Sequence, residues 1–66
     1  MNLFVNGETR TIEGVTHVAG LVAALGLDGR KVAVERNLEI VPRSAYERTA
    51  LEDGDRIEIV HFIGGG

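Results

Sequence analysis

The chain has no cysteine, no tryptophan, one proline (Pro42), one lysine (Lys31) and aromatic side chains at only 5% of its 66 positions. Each scarcity excludes something. Without cysteine there is no disulfide, no thiolate ligand for a structural metal and no thiol nucleophile. The two histidines, His17 and His61, lack any metal-ligand spacing. No glycine-rich loop leads into Lys-Ser/Thr, so the chain alone should not bind ATP. No apolar run approaches the roughly 20 residues of a membrane span. Met1 opens directly into strand-like sequence with no secretory leader, and a soluble cytoplasmic protein is expected. The net charge of −3 comes with no basic cluster, which argues against nucleic acid and for protein partners that present Arg or Lys. A single lysine also argues against a modifier that builds chains through its own lysines.

What the sequence does contain is one small domain's worth of β-prone runs around one helical stripe. At this size a domain buries only about 60% of its unfolded surface, so the core has to be efficient. Met1 to Val5 reads as a strand with Met1, Leu3 and Val5 on one face and Asn2 and Phe4 on the other. Asn6-Gly7 then signals a tight hairpin, because both central residues of a type I′ turn need positive φ. A second strand is expected from Glu8 to Ile12. After a turn at Glu13-Gly14-Val15, Thr16 is placed to cap a helix whose apolar stripe is Val18, Leu21, Val22 and Leu25. Gly26 is placed to end that helix in the left-handed region. Gly20, inside it, reads as a site of close packing on a sheet. A loop at Asp28 to Arg30 leads to a third strand, Lys31 to Arg36. Asn37 marks a turn, and Leu38 to Val41 form a short fourth strand stopped by Pro42. Ser44 and Glu47 match a capping box for one or two helical turns, which explains Ser44 better than a nucleophilic role does. Asp53-Gly54-Asp55 reads as a turn rather than a carboxylate pair. The last strand runs from Arg56 to about Phe62.

One helix cannot cover both faces of such a sheet. The expected architecture is α+β, a mixed four- to five-stranded sheet wrapped around one main helix, with the other face in solvent. On the last strand Ile57 and Ile59 should face the helix. Glu58, Val60 and Phe62 should face outward, beside Phe4 if the first and last strands are neighbours. Val60, Phe62 and Phe4 are therefore candidates for partner docking.

The chain then ends Ile63-Gly64-Gly65-Gly66, straight after that strand. Residues 1–63 are expected to form the domain and residues 64–66 a flexible tail. Glycine has no side chain to bury and the largest ordering entropy of any residue. Three glycines reach on the order of 10 Å and are thin enough to enter a narrow site in another protein. The α-carboxylate of Gly66, with an ordinary pKa of about 3.3–3.7, is ionised at neutral pH and has no Cβ beside it. A carboxylate is a poor electrophile, so covalent chemistry there requires activation, most simply adenylation by ATP. With no other reactive group in view, the sequence looks like a substrate-carrier whose own terminus is the reagent.

The stretches Val34-Glu35-Arg36-Asn37, Ile40-Val41-Pro42-Arg43, Leu51-Glu52-Asp53-Gly54-Asp55 and Ile59 to Gly66 make the chain similar over its whole length to the ubiquitin-like sulfur carriers. Within them it resembles the ThiS-type carriers of thiamine biosynthesis. That resemblance implies a β-grasp fold and a protein co-substrate rather than an enzyme, with no cofactor bound by the chain itself. It implies an E1-like, ThiF-type adenylyltransferase that uses ATP to make a Gly66 acyl-adenylate. It also implies a sulfurtransferase or cysteine desulfurase whose persulfide turns the adenylate into a thiocarboxylate, and a ThiG-type thiazole synthase that takes the sulfur. Gly66 is then the covalent site, with Gly64 and Gly65 as the slender lead-in. A chain without cysteine could not hold sulfur as its own persulfide, which agrees with this logic. The alternatives are the small subunit of molybdopterin synthase, which uses the same tail chemistry, a non-catalytic β-grasp binding module and a conjugating modifier.

Overall fold

Two asparagine turns and one short helix organise the molecule. The computed structural model describes residues 1–62; the expected domain end at Ile63 and the tail residues Gly64, Gly65 and Gly66 lie outside the described residues. Strand β1 (Asn2–Val5) turns through Asn6 and Gly7 into β2 (Glu8–Thr11). Both turn residues have positive φ, 50° and 81°, as the hairpin reading requires. Helix α1 (Val18–Ala24) follows, then a 3-10 turn at Gly29–Lys31, strand β3 (Val32–Arg36) and strand β4 (Glu39–Val41). A second 3-10 turn at Arg43–Ala45 leads by a long connection to β5 (Arg56–His61).

The strands form one five-stranded sheet in the order β2-β1-β5-β3-β4. Strand β5, last in sequence, sits in the middle, parallel to β1 and antiparallel to β3. This is the mixed sheet expected from the sequence, and period-two alternation decides what each strand buries. Leu3 and Val5 on β1, Val32 and Val34 on β3 and Ile57 on β5 point to the helix side and are buried. They meet Val18, Leu21 and Val22 of α1, three of the four residues of the predicted stripe; the fourth, Leu25, is the C-cap beyond the helix and is partly buried against the same core. A fully buried aliphatic side chain contributes about 1.5–3 kcal/mol, so this one-sided core carries most of the fold. Val15, Tyr46 and Leu51 close it from the connections. The Tyr46 hydroxyl, buried there, donates to the Val32 carbonyl at 3.1 Å, and its burial raises the phenol pKa.

Several local expectations are corrected. Thr16 does not cap α1: His17 is the N-cap and no side chain caps the helix, because the Thr16 hydroxyl bonds the His17 ring at 2.8 Å instead. Two backbone bonds from the segment before β5 take over the task, with Thr49 and Tyr46 carbonyls accepting from Val18 and Ala19. Ser44 and Glu47 form no capping box; Pro42 precedes the turn and its side chain makes no cap bond. Gly20 does not lie against the sheet. It is exposed, and a Cβ there would meet only Val15 at an ordinary 3.8 Å. Leu38 belongs to the β3–β4 turn, with φ of 72°, not to β4. Lys31 closes the first 3-10 turn, capped by the Asp28 carboxylate, before β3 begins.

Candidate functional site

Strand β5 is the element that leads toward Gly66, so the site is built on its last residues. Alternation along Arg56-Ile57-Glu58-Ile59-Val60-His61 sends Ile57 fully into the core and leaves Val60 61% exposed on the opposite face. Phe62, just past the strand, is 45% exposed. The two predicted docking residues nearest the tail are thus apolar and open to solvent at the end of the central strand.

Phe4 is exposed on the same sheet face, but the parallel register pairs it with Arg56. Val60 lies four positions further along β5, about 13 Å at 3.3 Å per residue. The expectation that Phe4 sits beside Val60 and Phe62 is corrected: the strands are neighbours, but their register was not legible in either one. Nearer to Val60 is Ala33, its direct partner on β3, also exposed. Beyond it, on edge strand β4, Ile40 is 76% exposed and shares the outer face through its pairing with Glu35. Ile40 was not among the expected docking residues, although Val41 beside it is buried and alternation alone sends Ile40 outward. Between these apolar residues Glu35 and Glu58 stand directly opposite each other, and neither makes an ion pair among the described residues. Like charges across a ladder are unfavourable. The middle of the face is therefore apolar and acidic, and Arg56, exposed beside Phe4, adds a positive charge at the start of β5.

The start of β5 is built differently. Asp55 is 5% exposed, yet it is charged. Its Oδ2 accepts from Arg36 Nε at 2.7 Å and from the Glu52 backbone N–H at 2.8 Å, and its Oδ1 accepts from Asn37 Nδ2 at 3.0 Å. Burial pushes the carboxyl pKa up, but the bonds from Glu52, Asn37 and Arg36 outweigh it and hold the pKa below the usual value. The Arg36 guanidinium is shifted upward by the same Asp55 bond, and it also reaches Glu52 at 3.3 Å. Two segments that stood apart in the sequence, around Arg36-Asn37 and Glu52 to Asp55, are one clamp. Asp53 accepts from the Asn2 N–H and so ties the turn to β1. These carboxylates have structural partners.

Elsewhere, a cavity of about 410 Å³ lies between α1 and the two 3-10 turns, lined by Val22, Arg30, Arg43 and Tyr46 among others. It is on the helix side of the sheet, and Arg30 is already paired with Asp28 at 2.9 Å. Among the described residues no three of His, Asp and Glu gather closely enough for a metal ion, and no helix is long and apolar enough to cross a membrane.

Comparison with known proteins agrees with this geometry. The ThiS family model matches residues 3–66. The whole chain is 58% identical to part of a thiazole synthase from Paramagnetospirillum magneticum and 47% identical to part of one from Magnetococcus marinus, covering 20% of each. It thus spans about a fifth of the length of those relatives. Over 49 residues, 74% of each chain, it is 47% identical to the sulfur carrier protein ThiS of Bacillus subtilis. The crystal structure of the thiamine biosynthesis protein ThiS from Geobacter metallireducens superposes with a TM-score of 0.84 at 40% identity, over 100% of both chains.

Proposed function

The chain belongs to the ThiS family, and from that premise we propose that it is a sulfur carrier of thiamine biosynthesis rather than an enzyme, with the Gly66 carboxylate as its reacting group. The observation that carries the reading is that the family match runs through Gly66, directly beyond a central strand whose last residues present Val60 and Phe62 to solvent. A partner that grips Phe62 holds the chain four residues before Gly66.

The chemistry follows from the carboxylate. A Gly66 oxygen attacks the α-phosphate of ATP held by an E1-like adenylyltransferase; pyrophosphate leaves and an acyl-adenylate forms. The terminal sulfur of a persulfide on a sulfurtransferase or cysteine desulfurase then attacks the carbonyl carbon, and AMP departs with the electron pair of the broken C–O bond. A thiol cleaves the remaining S–S bond, becoming part of a disulfide, and releases the Gly66 thiocarboxylate. The acceptor is thiazole synthase, a choice supported by relatives in which a domain like this one is part of a thiazole synthase chain. In all of this the chain's own residues bind and orient; they move no protons.

The test is the mass of the terminus. After incubation with adenylyltransferase, ATP and a sulfur donor, the chain should gain the difference between sulfur and oxygen at Gly66. One extra residue after Gly66 displaces the carboxylate by about 3.5 Å. Misplacement by about 1 Å can cost on the order of 100-fold in rate, so the extended chain should react at a small fraction of the native rate. Gly66→Ala keeps the length and should slow the reaction less. An extended chain that gains sulfur at the native rate would overturn the assignment of Gly66.

A further inference from the structure

The β1 flank of β5 is short. The last backbone bond from β1 is Asn6 N–H to the Ile57 carbonyl at 2.9 Å. There the chain turns away, with Asn6 at φ of 50° opening the hairpin. A parallel strand that continued would offer β5 another carbonyl and another N–H at the level of Ile59. The Asn6 side chain supplies both. Its Oδ1 accepts from the Ile59 N–H at 2.7 Å, and its Nδ2 donates to the Ile59 carbonyl at 3.2 Å. The amide thus stands in for the missing peptide unit. Asparagine suits the place twice over: it tolerates the left-handed backbone of the turn, and it carries both a donor and an acceptor. Aspartate would lack the donor and glycine both groups.

On the other flank β3 continues to the end, with Val32 opposite His61 and the Phe62 N–H donating to the Lys31 carbonyl at 2.7 Å. Among the described residues, the Asn6 amide is therefore the last main-chain anchor on the β1 side before the chain proceeds toward Gly66. Without it the end of β5 would hang from β3 alone, and a two-stranded ribbon twists more widely than the middle of a sheet. Both bonds are exposed to solvent, so they add little to stability. Their consequence is directional.

We propose that Asn6 is a positioning residue for the reacting terminus: its side-chain amide extends the β1–β5 pairing to Ile59 and sets the direction in which the chain leaves the sheet. This rests on the carrier reading above. The fold supplies an internal control, because Asn37 plays the matching part at the other end of β5. There the Arg56 N–H donates to Asn37 Oδ1 at 3.0 Å, also from a turn residue with positive φ, 51°. Glycine accepts either backbone conformation, so Asn6→Gly and Asn37→Gly remove the amides without straining the turns.

The test compares those two variants with the native chain for thermal stability, amide exchange and steady-state thiocarboxylate formation. Asn6→Gly is expected to stay folded, to speed exchange of the Ile59 amide, and to lower kcat about tenfold with little change in KM, as a loss of near-attack geometry does. Asn37→Gly should melt at the same temperature or lower and keep the native kcat. Asn6→Asp, which retains the acceptor, should fall between. Equal losses of rate that follow melting temperature in both variants would overturn the proposal, as would an Asn6→Gly chain that is unfolded. A native rate in Asn6→Gly would overturn it and leave the carrier reading intact. A native chain that gains no sulfur would instead strike down the carrier reading itself.

Discussion

Strand β5 is entered through a buried carboxylate bound by a guanidinium, an amide and a backbone N–H, and is left through two exposed apolar side chains beside a single asparagine bridge. The two ends are five residues apart, Arg56 to His61, or about 17 Å. At the first end polar groups are taken out of water and fully matched, and the interactions are spent on the fold. At the second end Val60 and Phe62 keep 61% and 45% of their surface in water, and that part adds nothing to folding and is available to a partner. In a domain of 66 residues the margin of stability is small, and this division fixes the strand firmly while its exit stays open.

Breaking the clamp should produce the largest effect on stability. Asp55→Ala removes the acceptor shared by Arg36, Asn37 and the Glu52 N–H, and leaves a half-buried guanidinium facing an apolar methyl. The expected cost is about 2–4 kcal/mol. For a domain of this size that is on the order of 10–20 °C in Tm, read by circular dichroism. A loss below about 0.5 kcal/mol, the range of an ordinary surface substitution, would erase the contrast between the ends.

Acid should reach the same clamp by titration. The folded pKa of Asp55 lies below the unfolded value of about 3.9, so its ionised form is favoured by folding. Its contribution is complete above about pH 3.9 and is lost as pH falls through the lowered folded value. Native melting temperature should therefore drop on acidification into that window, and the drop should be smaller in Asp55→Asn, which starts less stable but has no such proton to take up. Parallel melting curves against pH for the two chains would show that the stabilising charge lies elsewhere.

How much of this was legible depended on whether the signal was local. The Asn6-Gly7 hairpin, the stripe Val18, Leu21, Val22 and Leu25 and the outward set Val60 and Phe62 each follow from a short-range rule of turn chemistry or periodicity, and each is found, save that Leu25 caps the helix rather than lying in it. Thr16 and Ser44 satisfied local capping rules, but Thr49 and Tyr46 carbonyls across the fold and a 3-10 turn after Pro42 took their places. The Arg36–Asp55 clamp joins residues nineteen apart, and no pattern within either segment announces it. Phe4 shows the same limit from another side. Its face was legible from alternation, but its distance from Val60 depended on the parallel register, which the β1–β5 pairing decides. The tail residues rest on glycine's chemistry and on the family resemblance, and they lie outside the described residues.

The tail-proximal end should give the smallest change in stability and the clearest change in association. Val60 is 61% exposed, so Val60→Glu removes little buried area and the expected change is within about 0.5 kcal/mol; Phe62 is 45% exposed, so Phe62→Glu should cost more, about 1 kcal/mol. The new charge also enters a face that already holds Glu35 and Glu58 unpaired among the described residues. For a partner that seats an apolar surface there, burying an unmatched carboxylate costs several kcal/mol. Binding to the activating enzyme or to thiazole synthase should accordingly weaken at least tenfold, measured by calorimetry, while Tm moves by only a few degrees. Ile40→Glu, on the same face but at the far edge strand, should weaken binding less if the contact centres on β5. A Val60→Glu chain that binds as tightly as the native one would detach the docking face from the end of β5. One that unfolds would place Val60 in the core, where its 61% exposure says it is not.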